Sequence, residues 1–189
     1  MIVVSNSSPL IALSRIGRLD ILASFYERIL VPAEVHHEVT VDGRGLPGAE
    51  EVRNAVWIEV APQKSPIDPL LEQACQGLGA GERGAILLAK SLPADLVLLD
   101  EWKARRIARE AGLAIMGCLG VLEAGTRRGL VPDLRQAYID LLRQGIRFDI
   151  GLLQDSLARL GWLSLKTPAC AVLAQVDEEM ATDGRGWQT

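Results

Sequence analysis

Residues 96–112 have the sequence LVLLDEWKARRIAREAG, and this stretch decides the fold class. The four apolar residues at 96–99 give the clearest strand signal in the chain. The strand ends at Asp100 and Glu101, and the charged, amphipathic residues 102–111 then predict a helix that ends before Gly112. A buried strand followed at once by an amphipathic helix is typical of an α/β protein with a parallel sheet.

The same order of strand and helix recurs along the chain. Short apolar runs predict further strands at residues 2–4, 29–31, 57–60 and 114–116. Helices are predicted between and after the strands, at residues 9–16, 19–25, 33–39, 49–55, 70–75, 82–91, 117–128, 133–144 and 150–160. Because parallel strands need crossover connections of one hand, helices should cover both faces of the sheet. The sequence therefore predicts a three-layer α/β/α sandwich around a mainly parallel sheet.

Length and composition indicate one domain of ordinary size. The chain has 189 residues, of which 49% are hydrophobic, enough for a sizeable core. We expect a domain over residues 1–160 and a partly flexible C-terminal extension over residues 161–189. Aromatic residues make up 4% of the chain, which excludes a base-stacking surface rich in Phe and Tyr. Trp57 and Trp162 are expected in the core.

Charge and cysteine content restrict the function further. The net charge of −4 excludes a generally basic nucleic-acid binder, but the charges are unevenly distributed. Residues 1–100 carry 8 basic and 13 acidic side chains, whereas residues 101–150 carry 9 basic and 6 acidic ones. Three widely spaced cysteines form neither a disulfide framework nor a zinc motif and indicate a reducing compartment. With no long uncharged apolar run, we interpret the chain as cytoplasmic and not membrane-bound.

Acidic and amide side chains follow the predicted strands. Asn6 follows the first strand, Glu38 lies on the helix after the second, Glu82 begins a later helix, and Asp100 with Glu101 follows the strand at 96–99. In an open parallel sheet such positions converge at the carboxyl edge, where like charges repel one another unless a cation is bound. Oxygen ligands without cysteine or well-placed histidine favour Mg²⁺ or Mn²⁺ over zinc. A site of this kind is suited to phosphodiester hydrolysis.

Each of these residues also has a purely structural interpretation. The helix dipole alone stabilises an acid in the first turn of a helix, such as Glu82. Glu38 is compatible with a solvated helix position, and Glu34, one turn earlier, competes for its role. Asp100 is compatible with a helix cap. Only the joint pattern indicates a metal site.

Basic residues follow directly after the acidic ones. They are suited to contact a phosphate backbone and comprise Lys103, Arg105, Arg106 and Arg109 on the helix after Asp100, and Arg127 and Arg128 at the end of the next helix. The alternative is a solvated helix face with ion pairs four residues apart, Arg106 with Glu110 and Glu101 with Arg105. Arg105 is also placed to pair with Asp100 or Glu101 and so to orient a metal ligand.

Other motifs give weaker signals. His36 and His37 are adjacent and diverge by about 100° on a helix, so they cannot share one metal. The glycines at 77–81 lack both the GxGxxG spacing and a strand directly before them, and the chain has no GxxxxGK[ST] motif. Serine and cysteine nucleophiles lack a recognisable histidine partner. A receiver-type regulatory domain would need two adjacent acids after the first strand, which the loop at Asn6 does not supply.

Four segments of the sequence resemble one known family. They are VVSNSSPLIAL at residues 3–13, VPAEV at 31–35 running into Glu38 and Val39, LGAGER at 78–83, and LLDE at 98–101 with Ala104 and Arg105. Together they resemble the PIN-domain superfamily, and more narrowly its uncharacterised branch of predicted nucleic-acid-binding PIN proteins. The likeness covers about residues 1–160, with the segments in the family's order and at similar spacing.

The resemblance implies a fold, an activity and partners. The fold is the α/β/α PIN fold, and the activity is that of a Mg²⁺- or Mn²⁺-dependent ribonuclease. The family often forms homodimers, and its members are often the toxin of a pair with a small antitoxin protein.

The resemblance also assigns roles to single residues. The family's four metal-binding and catalytic positions fall on Asn6, Glu38, Glu82 and Asp100, with Glu101 as an assistant. Ser7 or Ser8 would hold the first loop and a nearby ligand. Asn6 departs from the usual aspartate, as is common in this branch. An amide oxygen binds a metal without contributing charge, so weaker metal binding and reduced catalysis are consistent with this residue.

Two hypotheses of function follow. The first is a metal-dependent endoribonuclease, in which the basic residues after Asp100 hold the RNA strand. The second is a non-enzymatic module that keeps the fold and binds RNA or a protein partner after loss of the first carboxylate.

Overall fold

The computed structural model of the protein describes residues 1–63 and 68–162. Contacts between residues group the chain into two compact units, Met1–Cys118 and Leu119–Thr189. The predicted boundary at residue 160 stays a prediction, and of the predicted extension only Gly161 and Trp162 lie within the described residues. None of the helices in the described ranges has both the length and the apolarity to cross a bilayer.

The first unit is built on a parallel sheet. In the described residues this sheet has five strands, β1 Val3–Ser5, β2 Ile29–Val31, β3 Ile58–Val60, β4 Leu96–Leu98 and β5 Ile115–Met116, in the spatial order β3-β2-β1-β4-β5. All four strand pairs are parallel, and β1 lies between β2, through Val4 opposite Leu30, and β4, through Val4 opposite Val97. The predicted strands are confirmed, and each predicted boundary lies within one residue of the observed one.

The described part of the chain contains ten α-helices and one π-helical turn. They are α1 Ser7–Arg15, α2 Asp20–Phe25, α3 Ala33–His37, the π-helical turn Glu38–Asp42, α4 Ala49–Asn54, α5 Pro69–Ala74, α6 Ala80–Ser91, α7 Trp102–Glu110, α8 Cys118–Arg127, α9 Leu134–Arg143 and α10 Ile150–Arg159. The helices of the first unit flank its five-stranded parallel sheet in a three-layer α/β/α fold, which confirms the predicted fold class.

The sheet order decides which helices share a face. The chain moves from β1 to β2 to β3 in one direction along the sheet, and from β3 back to β4 and on to β5 in the other. Because such crossovers are right-handed, the two directions of travel place their helices on opposite faces. In the structure α1 packs on α4, and α6 packs on α5 and α7; α6 also contacts α3, which begins two residues after β2.

An aliphatic core fixes these layers. Val4 of β1, Val97 of β4, Ile86 and Leu88 of α6 and Ile107 of α7 are buried in one cluster. At about 25 cal/mol per Å² of apolar surface buried, each large side chain of this kind contributes roughly 1.5–3 kcal/mol. The core therefore holds the carboxyl ends of β1 and β4 in a fixed position.

Some local expectations were wrong. The first helix begins at Ser7 and not at Pro9, because the backbone turns helical directly after Asn6. The predicted helix 33–39 ends at His37 and continues as the π-helical turn. Trp57 and Trp162 are half-buried and not in the core.

The second unit contains a hydrogen-bonded network of its own. The buried Ser156 Oγ donates to Glu123 Oε1 at 2.5 Å and lies 2.6 Å from the buried Tyr138 hydroxyl. Arg159 donates to the same Glu123 oxygen at 2.7 Å. The network ties α8, α9 and α10 together through polar groups that are paired within the unit.

Candidate active site

The sheet topology marks one edge for a binding site. The chain leaves β1 towards β2 and leaves β4 towards β5, so the connections after these two neighbouring strands run to opposite sides. In open α/β sheets a ligand crevice forms at the carboxyl ends of such a strand pair. Asn6 directly follows β1 and Asp100 lies two residues after β4, so both belong to this edge.

Asn6 is a buried amide whose side chain has no hydrogen-bond partner. Its backbone N–H donates to the Leu98 carbonyl at 3.2 Å, which ties the loop after β1 to β4. Both its side-chain atoms, Oδ1 and Nδ2, are buried without a hydrogen bond in the protein. A buried polar group left without a partner costs about 1–3 kcal/mol. The protein therefore holds at this edge an amide that is free to bind a ligand.

Glu38 reaches the same edge from the π-helical turn. Ser7 Oγ donates to Glu38 Oε1 at 2.9 Å, across 31 positions of sequence. A Cβ added to Gly81 would lie 3.0 Å from Glu38 Oε2, closer than ordinary van der Waals contact. Ser7 therefore orients one carboxylate oxygen of Glu38, and the glycine lets α6 approach the other.

The π-helical turn also changes which side chains meet. In a π-helix the backbone bonds join residues five apart, so side chains at that spacing come onto one face. His37 Nδ1 and Asp42 Oδ2 are five positions apart and lie 3.3 Å from each other. An uninterrupted α-helix would separate these two side chains by about 140°. The turn therefore places an exposed histidine and aspartate beside Glu38.

Glu82 lies in the first turn of α6. Its Oε2 accepts a hydrogen bond from the Gly79 backbone N–H at 3.0 Å, as expected for an acid at a helix start. Partial burial raises its pKa, and the charges of Glu101 and Glu38 raise it further. The Gly79 hydrogen bond and the charge of Lys103 oppose this rise. Glu38 and Glu101 therefore each lie close enough to Glu82 to repel its carboxylate.

Three of the predicted site residues and both serines share one open cleft of about 850 Å³. It is lined by Asn6, Ser7, Ser8, Ala33, Glu34, His37, Glu38, Asp42, Gly79, Ala80, Gly81 and Glu82. Asp100 and Glu101 are not among the residues that line it. The structure thus brings Asn6, Glu38 and Glu82 together and leaves Asp100 at the end of the neighbouring strand.

Asp100 occupies a partly buried position. Its Oδ1 accepts a hydrogen bond from the Cys118 backbone N–H at 2.7 Å. Burial raises the pKa of this carboxyl to about 6, although the Cys118 hydrogen bond and the charge of Arg105 lower it. A Cβ added to Gly117 would lie 2.6 Å from Asp100 Oδ1 and 2.5 Å from Arg105 Nη1, so only glycine fits here.

Arg105 and Glu101 support this end of the site. Arg105 Nη1 donates to the Leu99 carbonyl at 3.0 Å, which places its positive charge beside Asp100. Burial lowers the pKa of Arg105, as does the charge of Arg109, while Asp100 raises it. Glu101 accepts a hydrogen bond from the Ala104 backbone N–H at 2.7 Å and so caps α7.

The remaining basic residues have different surroundings. Lys103 Nζ donates to the Gly77 carbonyl at 3.1 Å, and Arg106 Nε lies 3.9 Å from Glu110 Oε1. Arg127 pairs with Glu123 at 3.7 Å in the second unit, and Arg128 follows α8 directly. The predicted pair of Arg106 with Glu110 is therefore present, although a surface pair of this length contributes little to stability.

The side chains of this edge offer oxygen ligands of the kind that a hard divalent cation prefers. Asn6 offers an unpartnered amide oxygen, and Glu38 and Glu82 offer carboxylate oxygens in the same cleft, which is the ligand chemistry that Mg²⁺ and Mn²⁺ prefer. Within residues 1–63 and 68–162, no three His, Cys, Asp or Glu side chains are grouped closely enough to hold a metal. Asn6 has an amide side chain and is therefore not counted among those four residue types. The Asp100 carboxyl already accepts a hydrogen bond from the Cys118 backbone N–H.

Sequence reasoning missed part of the cleft. His37 and Asp42 line it, because the π-helical turn brings them there, and no motif in the sequence marks such a turn. Gly81 approaches Glu38 closely, and its place in the glycine-rich stretch before Glu82 was a signal that could have found it. Cys75 and Cys118 are buried free thiols outside the cleft.

The fold and the cleft together define a class of protein. It is a doubly wound parallel α/β protein whose acidic, oxygen-lined cleft lies at the switch point of the sheet. Residues 2–162 match the family model described as DUF3368, a PIN domain, and the chain belongs to this family. PIN domains have a nuclease-like fold, typically use divalent metal ions and bind nucleic acid. Searches of curated proteins and of solved structures gave no match.

Proposed function

We propose that the protein is a metal-dependent endoribonuclease that hydrolyses RNA phosphodiesters. The observation that supports this most directly is the unpartnered, buried side chain of Asn6 in a cleft shared with Glu38 and Glu82. A solvated ion-pair surface would not account for a buried amide without a partner, whereas a cation bound beside it would. Asp100, on the neighbouring strand end, is the fourth proposed ligand, and Glu101 is its assistant.

Each residue of the site has a proposed part in the reaction. Asn6, Glu38, Glu82 and Asp100 would hold Mg²⁺ or Mn²⁺, which lowers the pKa of water and neutralises phosphate charge. Ser7 orients the Glu38 carboxylate through its hydrogen bond, and Ser8 lines the cleft beside it.

The supports of Asp100 and the basic residues complete the proposal. The Cys118 N–H holds the Asp100 carboxyl in place, and Arg105, held on the Leu99 carbonyl, lends its positive charge beside it. The first phosphate contacts are proposed for Lys103, Arg105, Arg106 and Arg109, and further contacts for Arg127 and Arg128.

Metal binding and cleavage are tested separately. Mn²⁺ titrated into the pure native protein should bind. The native protein should cleave RNA only when Mn²⁺ or Mg²⁺ is present. Glu38→Gln and Glu82→Gln should each abolish cleavage and weaken Mn²⁺ binding. Glu51→Gln, an exposed acid on α4, is the matched control and should change neither. Cleavage that persists unchanged in both cleft variants would contradict the proposal.

A second candidate function rests on Asn6. An amide supplies no charge to a cation, so a binding module that has lost catalysis is the competing proposal. Asn6→Asp decides between them through cleavage assays with Mn²⁺. If the native chain is inactive and Asn6→Asp is active, the protein is a weakened nuclease that binds nucleic acid or a partner. High native activity excludes this alternative.

The partners and location are also proposals, supported by the family alone. We infer a homodimer, a small antitoxin protein as partner and a cytoplasmic location, because these accompany many PIN-domain toxins. Light scattering that shows only a monomer counts against the dimer. Affinity capture that recovers no small protein, from cells that express the neighbouring open reading frames, counts against the antitoxin.

A further inference from the structure

Trp102 is an exposed aromatic residue directly beside the candidate active site. It begins α7, one residue after Glu101 and two after Asp100, and 67% of its surface is exposed. The buried face of α7 is formed by Ala104, Ile107 and Ala108, so the core does not use the indole ring. A single exposed apolar side chain is common on protein surfaces, and the surroundings of Trp102 decide whether it has a role.

Those surroundings form a stripe of arginines. Trp102, Arg105, Arg106 and Arg109 occupy positions i, i+3, i+4 and i+7 of α7, and residues at this spacing share one face of a helix. The Arg106 guanidinium carbon lies 5.0 Å from the centre of the Trp102 ring, which is a cation–π contact. Because most of Trp102 is exposed, Arg106 covers only part of the ring.

The start of α7 lies near the cleft. Lys103 Nζ donates to the carbonyl of Gly77, three residues before α6 begins, so the start of α7 is tied to the loop that leads into α6. Glu82 in the first turn of α6 lines the cleft and lies within electrostatic reach of both Glu101 and Lys103. A strand bound with a phosphate in the cleft would have the start of α7 within reach.

We propose that Trp102 and Arg106 form a base-stacking platform that selects single-stranded RNA. An unpaired base stacks on the exposed part of the indole ring, and Arg105, Arg106 and Arg109 contact the neighbouring phosphates. A base inside a duplex is already stacked and paired, so the platform favours unpaired segments and tolerates any base. The identification of the nucleic acid as RNA rests on the proposed function. The stacking geometry rests only on the residues of α7.

Binding assays without divalent ions test the platform while the RNA stays intact. Trp102→Ala should weaken binding of a short single-stranded RNA about 5- to 150-fold, which corresponds to the roughly 1–3 kcal/mol measured for one stacked base. Trp102→Phe should restore part of the affinity, because phenylalanine also stacks. An abasic strand of the same length should bind Trp102→Ala and the native protein equally. Leu70→Ala, which removes another exposed apolar side chain, is the control and should bind like the native protein.

Each outcome separates this proposal from the nuclease proposal. The platform would be overturned if Trp102→Ala lost equal affinity for the abasic strand and the RNA, or lost affinity for neither. A native protein that binds no RNA would also overturn it. If Trp102→Ala instead turns a dimer into a monomer and leaves RNA binding unchanged, the face contacts a second copy and the platform is also refuted. RNA cleavage with Mn²⁺ is measured on the same variants. If the native protein binds RNA through Trp102 but never cleaves it, the platform is supported and the nuclease proposal is refuted. If it cleaves RNA but Trp102→Ala binds RNA normally, only the platform is refuted.

Discussion

Replacing Asp100 by asparagine should make the metal-free protein more stable at neutral pH. Burial raises the pKa of Asp100 from 3.8 to about 6. Since one pKa unit corresponds to 1.36 kcal/mol, ionising this carboxyl in the folded protein costs about 3 kcal/mol more than in the unfolded chain. Asparagine has no charge to bury, and its Oδ1 is able to accept the Cys118 N–H bond that now ends on the carboxylate.

The stability difference between Asp100→Asn and the native protein should depend on pH. Below 3.8 the carboxyl is protonated in both the folded and the unfolded protein, so the cost is absent. Between 3.8 and about 6 the folded protein keeps a proton that the unfolded chain has released, and stability falls as the pH rises. Above about 6 the full cost is present. The advantage of Asp100→Asn should therefore grow from near zero in acid to about 3 kcal/mol at neutral pH.

Urea unfolding of both proteins across this pH range, with a chelator present, measures the difference. Asp155→Asn removes an exposed carboxyl of α10 and serves as the control, with a change within about 0.5 kcal/mol at every pH. A difference between Asp100→Asn and the native protein that does not vary with pH would refute the reasoning. Saturating Mn²⁺ should reverse the order of stability, because a bound cation stabilises the folded protein and the variant binds it less tightly.

Three further predictions follow from close contacts. Gly117→Ala should lower the free energy of unfolding by about 1–3 kcal/mol, read from urea midpoints, because its Cβ would meet Asp100 Oδ1 at 2.6 Å; an unchanged midpoint contradicts this. Gly81→Ala should weaken Mn²⁺ binding measured by calorimetry, because its Cβ would press on Glu38 Oε2 at 3.0 Å, and native affinity would contradict the proposed role of the cleft. Ser156→Ala should destabilise the protein by about 1–3 kcal/mol in thermal unfolding without changing Mn²⁺ affinity, because it removes hydrogen bonds from a buried network of the second unit.

Much of the fold was predictable because its signals are local. The strands at residues 29–31 and 96–98 are short apolar runs bounded by turn residues, and the helices between them follow the apolar period of 3.6. The direction of the sheet followed from the alternation alone. A local sequence pattern does not predict the order of the strands. The return of the chain from β3 to β4 is decided by packing across the sheet.

The candidate site was predictable in its residues but not in its geometry. The pattern of acids after strands pointed to Asn6, Glu38 and Glu82, which the structure places in one cleft. The partly buried position of Asp100 depends on Gly117 and Cys118, which follow a different strand. No sequence pattern near Asp100 indicates that these two residues contact it. The π-helical turn after α3 likewise depends on tertiary packing, because helix propensities are too weak to specify one extra residue in a turn.

Two costs at one edge of the sheet point to the same explanation. Asn6 has a buried amide without a partner, and Asp100 carries a carboxyl whose ionisation is disfavoured by burial. Neither feature stabilises the folded chain, and each would be removed by a common substitution, such as alanine or asparagine. A bound cation would offset both, since it would accept the amide oxygen as a ligand and stabilise the ionised carboxyl. Two unfavourable groups thus lie on adjacent strand ends, with the carboxylates of Glu38 and Glu82 beside one of them, and this coincidence supports a cation site at this edge.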